Sequence, residues 1–221
     1  MTHTFGLVHG GAHGAWCWER LIPELERRGH RVLALDLPCS DKEAGAAEYA
    51  AIVLDALSSV PEPLILVGHS LGGLTTPLVA HERSVSRLVF VCGLLPVPGL
   101  SFRDQQATEP DILFPYKGGR AGLRERFYHR CSAWDADRAM ERIRDQALKP
   151  YVEVTPLESW PDVPVSYVMC GEDRACNPAW SRRAVPQRLG VEPIELPESD
   201  HSPFLSFPSE LAELLVKVAG R

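Results

Sequence analysis

The chain has 221 residues, of which 45% are hydrophobic and 24% are charged, as is typical of one globular domain with a buried core. A net charge of −6 and the lack of a stretch rich in lysine and arginine argue against a nucleic-acid partner, because phosphate binding needs a basic surface. The first residues include neither a basic segment nor a long apolar run, so we expect no export signal, no membrane anchor and a cytoplasmic location. The six scattered cysteines favour reduced thiols over a disulfide framework or a zinc site.

Apolar runs alternate with amphipathic helical segments along most of the chain. Runs of this kind are strands buried on both faces, so we predict an α/β fold, with a parallel sheet of about six strands and helices on both faces. Pro77, in the second turn of one helix, predicts a kink, because proline removes a backbone hydrogen bond. Strands are predicted at 5–8, 31–36, 64–67, 87–92, 165–170 and 191–196, and helices at 16–28, 48–60, 178–189 and 209–219.

The alternation is lost between residues 94 and 161, where prolines and a Gly-Gly pair interrupt the chain. Short helices are predicted at 122–130 and 135–148, and a Ser-x-x-Asp capping signal precedes the second. We therefore expect residues 1–221 to form a single domain, in which residues 94–161 are an inserted helical lid between the fourth and fifth strands.

A Gly-x-Ser-x-Gly motif occupies residues 68–72, directly after the third predicted strand. In so sharp a strand-to-helix turn the central Ser70 takes strained backbone angles, and its neighbours must be small where strand and helix cross. The strain lifts the serine hydroxyl to the top of a sheet and aims the first N–H groups of the helix at a developing oxyanion. This nucleophile elbow is only moderately specific by itself, so the rest of a hydrolase site has to come from other segments.

A serine nucleophile needs a histidine base, and the base needs an acid that orients it. The turns after the third, fifth and sixth predicted strands supply Ser70, Asp173 and His201, in the chain order expected of an α/β-hydrolase. We therefore predict these three residues as a catalytic triad.

Two other carboxylates compete for the role of the triad acid. Glu172 is the direct neighbour of Asp173, and Asp200 adjoins the histidine, where it could instead cap a turn. Asp173 is favoured because Gly171, immediately after the strand, lets the chain turn. Glu172 stays open as the alternative.

An oxyanion hole needs two backbone N–H groups about 3 Å from the developing charge. Leu71 follows the nucleophile and supplies one, and the glycine-rich loop after the first strand supplies the other. Gly11 is chosen in that loop because the Gly10-Gly11 pair permits close approach. His9 and His13 flank the loop without a third ligand of suitable spacing, which favours structural roles over metal binding.

Five segments together resemble the α/β-hydrolase branch that holds plant methylesterases and hydroxynitrile lyases, with bacterial esterase-like relatives. These segments are HGGAHGAWCW at 9–18, the helix end RGHRV at 28–32, LDL at 35–37, the elbow motif, and DHSP at 200–203. The resemblance covers nearly the whole chain and is weakest in 94–161, which corresponds to the lid of that branch. It implies a hydrolase without cofactor or metal, a small buried pocket for apolar or aromatic esters, and these site residues: Ser70, Asp173 and His201 as the triad, with Gly11 and Leu71 as oxyanion donors.

Three positions separate the lyases of this branch from its esterases. The lyases have a lysine after the catalytic histidine, a threonine in the first loop and a glutamate before the nucleophile. This chain has Ser202, Gly10 and His69 at those places. Without a cation near the leaving group, cyanohydrin cleavage has no stabiliser, so we reject lyase activity. His69 is expected to be structural, with an effect on the electric field of the site as the alternative.

We therefore predict a carboxylesterase with a small-molecule substrate, no cofactor, and a homodimer as a possible assembly. Two alternatives stay open. One is a non-hydrolytic enzyme that uses His201 as a base for elimination, cyclisation or rearrangement, and the other is a binding protein without turnover. Beside Gly10, the pocket is predicted to be lined by apolar residues of the lid: Leu95, Phe102, Phe127, Trp134 and Met140.

Overall fold

A computed structural model describes residues 2–220. Six strands form one sheet in the order β2-β1-β3-β4-β5-β6, and all neighbouring strands are parallel. The predicted six-stranded parallel sheet is thus confirmed. The strands are β1 (Thr4–Val8), β2 (Arg31–Leu35), β3 (Leu64–His69), β4 (Arg87–Val91), β5 (Val165–Cys170) and β6 (Ile194–Leu196).

Helices cover the sheet, and their packing explains why the central strands β1 and β3 are buried along their whole length. Every residue of β1 and β3 is buried, which requires cover on both faces. α1 packs against α10, α2 against α3, and α8 against β5. No helix within residues 2–220 is long and apolar enough to cross a bilayer. The helices are α1 (Leu21–Arg27), α2 (Ala46–Leu57), α3 (Thr76–Glu82), α4 (Phe102–Thr108), α5 (Gly119–Tyr128), α6 (Ala133–Arg142), α7 (Lys149–Val152), α8 (Pro178–Leu189), α9 (Pro203–Ser206) and α10 (Pro208–Ala219).

The helix behind Ser70 is divided where the sequence predicts a kink. A 3-10 segment, Ser70–Leu74, ends before Thr75, and α3 then begins with Pro77 in its first turn. Proline is accommodated there because the first N–H groups of a helix have no partner within it. Pro77 therefore marks a helix boundary.

The segment between β4 and β5 contains four helices, α4 to α7, of which the sequence pattern predicts α5 and α6. The predicted capping signal is present, because the Ser132 hydroxyl accepts the backbone N–H of Asp135 at 3.1 Å. The pattern does not predict α4, α7 or α9, and two of these, α7 and α9, have only four residues each.

Helix α6 ends at Arg142, several residues before the predicted end at 148. Beyond it the backbone bonds to loops of the core: Arg144 N–H donates to the carbonyl of Ala12 at 2.9 Å, and Ala147 N–H donates to that of Cys39 at 2.7 Å. These bonds replace helical ones and bring residues 144–147 against the loops after β1 and β2.

Candidate active site

The carboxyl ends of β1, β3, β5 and β6 lie at one edge of the sheet, and the loops that follow them carry the predicted catalytic residues. Ser70 follows β3, near the middle of the sheet, and is half-buried. Asp173 follows β5 and His201 follows β6, and they are 4% and 1% exposed. The parallel topology thus places all three at the same edge.

The backbone at Ser70 has a φ of +48°, the left-handed value expected at a nucleophile elbow. Gly68 and Gly72, on either side of Ser70, occupy positions at which a side chain would collide with neighbouring atoms. A Cβ on Gly68 would lie 2.6 Å from Thr76 Oγ1, and one on Gly72 would lie 2.8 Å from the carbonyl oxygens of Val8 and His9. The sharp turn therefore depends on both glycines.

His201 and Asp173 form a buried hydrogen-bonded pair, in which His201 Nδ1 donates to Asp173 Oδ2 at 2.7 Å. The other carboxylate oxygen accepts the backbone N–H groups of Ala175 at 2.6 Å and Cys176 at 2.9 Å. The carboxylate is thereby held in one orientation. Because Nδ1 carries the donated proton, the second ring nitrogen, Nε2, is the basic one.

The two competing carboxylates have other partners. Glu172 has a side chain that is 44% exposed, and it lies 3.5 Å from Arg130 Nε. Asp200 is buried, and its Oδ1 accepts the N–H of Ser202 at 3.1 Å and the hydroxyl of Ser206 at 2.8 Å. Both carboxylates are therefore engaged in the surrounding loops.

Cys176 lies close to the serine and to the histidine–aspartate pair. The Ser70 hydroxyl interacts with its thiol. The sulfur lies within 4.8 Å of a carboxylate oxygen of Asp173 and a ring nitrogen of His201. Burial raises the pKa of the Cys176 thiol well above its usual value, and the charge of Asp173 raises it further, so the thiol stays protonated. No motif in the sequence marks Cys176 as part of the site.

Two sets of side chains at this edge have the atom types and closeness of a transition-metal site. Asp173, Cys176 and His201 form the first, and His69, Cys92 and His201 form the second, with ligand atoms within 4.8 Å of one another in each set. The two sets share His201. In the first set, His201 and Asp173 are already hydrogen-bonded to each other.

His9 positions the loop after β1 by a hydrogen bond to the peptide group between Gly10 and Gly11. Its Nδ1 donates to the carbonyl of Gly10 at 2.8 Å, and its Nε2 accepts the N–H of Leu37 at 2.9 Å. The His13 N–H also donates to the Gly10 carbonyl, at 3.4 Å. The Gly10 carbonyl and the Gly11 N–H belong to one planar trans peptide and point in opposite directions. The bonds to the carbonyl therefore fix the direction of the Gly11 N–H.

His13 and His69 are neutral parts of the same network. His13 Nδ1 donates to the Gly11 carbonyl at 2.7 Å, and its Nε2 accepts the Tyr128 hydroxyl at 2.8 Å. His69 Nε2 donates to the carbonyl of His201 at 2.8 Å. Burial lowers the pKa of His13 to about 3 and that of His69 well below its usual value. Both imidazoles have structural contacts and carry no charge near neutral pH.

The loop after β1 lies directly against the elbow. A Cβ on Gly10 would lie 2.9 Å from Ser70 Cβ and 2.7 Å from His69 Nδ1. A Cβ on Gly11 would lie 3.4 Å from Leu71 Cδ2. The fold thus brings Gly11 and Leu71, the two residues predicted as oxyanion donors, next to each other beside Ser70.

The predicted pocket residues lie in different places. The Phe127 ring stacks on the imidazole of His201, with centroids 5.3 Å apart. Trp134 is 59% exposed, and its ring lies under the guanidinium groups of Arg20 and Arg138, each 5.2 Å from the ring centroid. Phe127 thus adjoins the site, whereas Trp134 lies at the surface. Three further predicted residues are buried in the hydrophobic core: Leu95, Phe102 and Met140.

A cleft of about 690 Å³ opens beside Asp173. Its walls include the exposed rings of Phe114 and Tyr116, together with Glu172 and Pro178. No pattern in the sequence marks Phe114 or Tyr116, because they lie in a proline-interrupted segment without periodicity.

Comparison with known proteins agrees with this architecture. The family model described as "Alpha/beta hydrolase family" matches residues 7–214. Probable esterase PIR7A of Oryza sativa subsp. indica is 30% identical, over 98% of this chain and 97% of that protein. Methylesterase 3 of Arabidopsis thaliana is 28% identical, over 97% and 95%. The crystal structure of polyneuridine aldehyde esterase is 25% identical and superposes with a TM-score of 0.86, over 99% of this chain and 100% of that one.

The family match spans nearly the whole chain, the relatives are similar over almost their full lengths, and the solved structure has the same fold. The chain therefore belongs to the alpha/beta hydrolase family, in the branch that holds plant esterases and methylesterases.

Proposed function

We propose that this protein is a serine carboxylesterase that hydrolyses small apolar or aromatic esters through an acyl-enzyme on Ser70. Its family and its esterase relatives make it a carboxylic ester hydrolase. The main support for the proposed catalytic residues is the buried hydrogen bond of 2.7 Å between His201 and Asp173. It lies at the sheet edge where Ser70 has a φ of +48°.

In the proposed reaction, His201 Nε2 removes the hydroxyl proton of Ser70 while the serine oxygen bonds to the carbonyl carbon of the ester. Asp173 stabilises the imidazolium, and the N–H groups of Gly11 and Leu71 bind the oxyanion. The ester C–O bond then breaks, and His201 returns the proton to the leaving alcohol. A water molecule deprotonated by His201 attacks the acyl-enzyme, which releases the acid and restores Ser70.

The proposal also includes the class of substrate, the role of the inserted segment and the location of the protein in the cell. The Phe127 ring beside His201 and the exposed rings of Phe114 and Tyr116 in the cleft support an apolar or aromatic substrate. We propose that residues 94–161, which contribute all three rings, act as the lid of a single domain. The six cysteines are all unpaired, which supports a cytoplasmic location.

The proposed nucleophile is tested by comparing Ser70→Ala with the wild-type protein and with Ser58→Ala, a matched change at an exposed helix end. With p-nitrophenyl acetate and butyrate, Ser70→Ala should lower kcat by about 10⁴- to 10⁶-fold, because the acyl-enzyme cannot form. Ser58→Ala should match the wild type. Hydrolysis by Ser70→Ala at the wild-type rate would contradict the proposal.

Labelling by a fluorophosphonate separates esterase from non-hydrolytic chemistry at the same site. Mass spectrometry of the labelled wild-type protein should place the adduct on Ser70, in a preparation that also turns over simple esters. An adduct on Ser70 in a protein that hydrolyses no ester would instead favour elimination, cyclisation or rearrangement.

A further inference from the structure

The hydroxyl of Tyr151 faces the loop after β1 at the proposed oxyanion hole. A Cβ built on Gly11 would lie 2.7 Å from the Tyr151 hydroxyl oxygen, and the same Cβ would lie 3.4 Å from Leu71 Cδ2. The hydroxyl is therefore next to the two residues whose N–H groups are proposed to bind the oxyanion. Within residues 2–220 it has no hydrogen-bond acceptor of its own.

Contacts on both sides of Tyr151 fix the position of its short helix, α7. Before it, Gln146 Oε1 accepts the N–H of Ala12 at 3.0 Å, so the chain is tied to the same loop that contains Gly11. After it, Glu153 Oε1 accepts the N–H of Ala46 at 2.5 Å, at the start of α2. A hydroxyl on a segment held at both ends needs little rearrangement when charge develops beside it, which is the requirement for electrostatic catalysis.

The phenol of Tyr151 keeps its proton. Burial raises its pKa above the usual value for tyrosine. Near neutral pH the side chain is therefore a neutral O–H group.

We propose that Tyr151 donates a third hydrogen bond to the oxyanion, alongside the N–H groups of Gly11 and Leu71. This inference rests on the serine esterase function proposed above. The bond strengthens as the carbonyl oxygen becomes negative, so it stabilises the transition state more than the bound ester. No proton moves, because the phenol stays protonated throughout the reaction.

The first test compares Tyr151→Phe with Tyr49→Phe. Tyr49 is a matched control because it is also buried and its hydroxyl accepts the side-chain N–H of the same Gln146, at 3.4 Å. With p-nitrophenyl acetate, Tyr151→Phe should lower kcat by about 10- to 100-fold, somewhat less than the loss of a principal oxyanion donor, and should leave KM within about twofold. Tyr49→Phe should leave both constants within about twofold.

The affinity of a transition-state analogue distinguishes a hydrogen bond from Tyr151 from a role in which Tyr151 only fills space. A trifluoromethyl ketone forms a hemiketal with the serine and places an oxyanion in the hole. Its affinity should fall in Tyr151→Phe by the same factor as kcat, whereas a non-reactive product alcohol should bind as it does to the wild type. An effect confined to KM, or equal losses for both inhibitors, would overturn the proposal.

A double-mutant cycle with Gly11→Ala tests the contact between the Tyr151 hydroxyl and the loop after β1 independently of the inhibitors. Gly11→Ala places a methyl group 2.7 Å from the hydroxyl oxygen, so it should reduce kcat strongly in the wild type and much less when Tyr151→Phe is already present. Additive losses would contradict the proposed contact. Ser70→Ala is assayed in parallel: if it is inactive while Tyr151→Phe matches the wild type, only the role of Tyr151 is wrong. An active Ser70→Ala protein would instead remove the proposed function itself.

Discussion

Ser70 is one of three non-glycine residues with a positive φ within residues 2–220, and all three lie at the same edge of the sheet. Ser70 has a φ of +48°, Ala12, in the loop after β1, has +63°, and Cys92, after β4, has +37°. Each such angle costs on the order of 1–3 kcal/mol and persists only where the surroundings enforce it. The strain is therefore concentrated where the proposed nucleophile and oxyanion donors are positioned.

Replacing each of two adjacent carboxylates by its amide tests which of them is the triad acid. Asp173→Asn removes the acceptor of His201 Nδ1 and should lower kcat by about 10³- to 10⁴-fold, because the imidazole is then held in the wrong tautomer. Glu172→Gln, at the exposed neighbouring position, should keep kcat within about twofold. Steady-state hydrolysis of p-nitrophenyl butyrate measures both, and a larger loss in Glu172→Gln than in Asp173→Asn would reverse the assignment.

Among the structural elements, the nucleophile elbow is a place where the backbone passes close to the ends of neighbouring strands. The 3-10 segment Ser70–Leu74 lies so near the ends of β1 and β4 that its glycines contact neighbouring main chain. A Cβ on Gly73 would overlap the carbonyl oxygen of Leu94 and would lie 2.9 Å from the nitrogen of Leu94. Main-chain atoms cannot rotate away as a side chain can, so this contact fixes the angle at which the segment leaves the sheet.

Adding one methyl group at this crossing should destabilise the fold. Gly73→Ala should cost about 2–3 kcal/mol or more, since the backbone of the elbow or of the Leu94 loop must move. Gly122→Ala is the matched control: it lies in α5, its Cβ would come no closer than 3.5 Å to another atom, and alanine favours helix there. Urea unfolding followed by circular dichroism measures both, and equal midpoints would show that the crossing is not close-packed.

At the scale of the whole molecule, the interior contains several histidines that have to stay neutral. His9 and His13 support the loop after β1, and His69 supports the backbone of His201. Burial lowers the pKa of His9 to about 4 and that of His13 to about 3. An exposed histidine in the unfolded chain has a pKa of about 6.5. Unfolding in mild acid therefore takes up protons that the folded protein excludes.

The protein should consequently lose stability as the pH falls below about 6.5. Between that pH and the lowered folded pKa, each buried histidine reduces the free energy of unfolding by up to about 1.4 kcal/mol per pH unit. Urea unfolding at pH 7.5, 6 and 5 measures how steeply the free energy of unfolding changes with pH. His9→Gln removes one titrating group, so it should make this dependence shallower down to about pH 4. A free energy of unfolding that is unchanged between pH 7.5 and 5 would contradict this account.

Local sequence patterns are enough to predict the sheet, since six apolar runs predict six buried parallel strands and the elbow motif predicts the strained turn at Ser70. These features depend on periodicity and on residues adjacent in the chain. The chain order of Ser70, Asp173 and His201 likewise leads to the hypothesis of a triad before any coordinates are known.

The places where the remaining groups meet depend on long-range packing of the folded chain. This packing ends α6 at Arg142 through bonds to loops of the core, places Cys176 beside Ser70, and brings the hydroxyl of Tyr151 over Gly11. Tyr151 and Gly11 are 140 positions apart in the chain. No local periodicity records a contact of that separation, because it exists only after the sheet has formed and the segment between β4 and β5 has packed against its carboxyl edge.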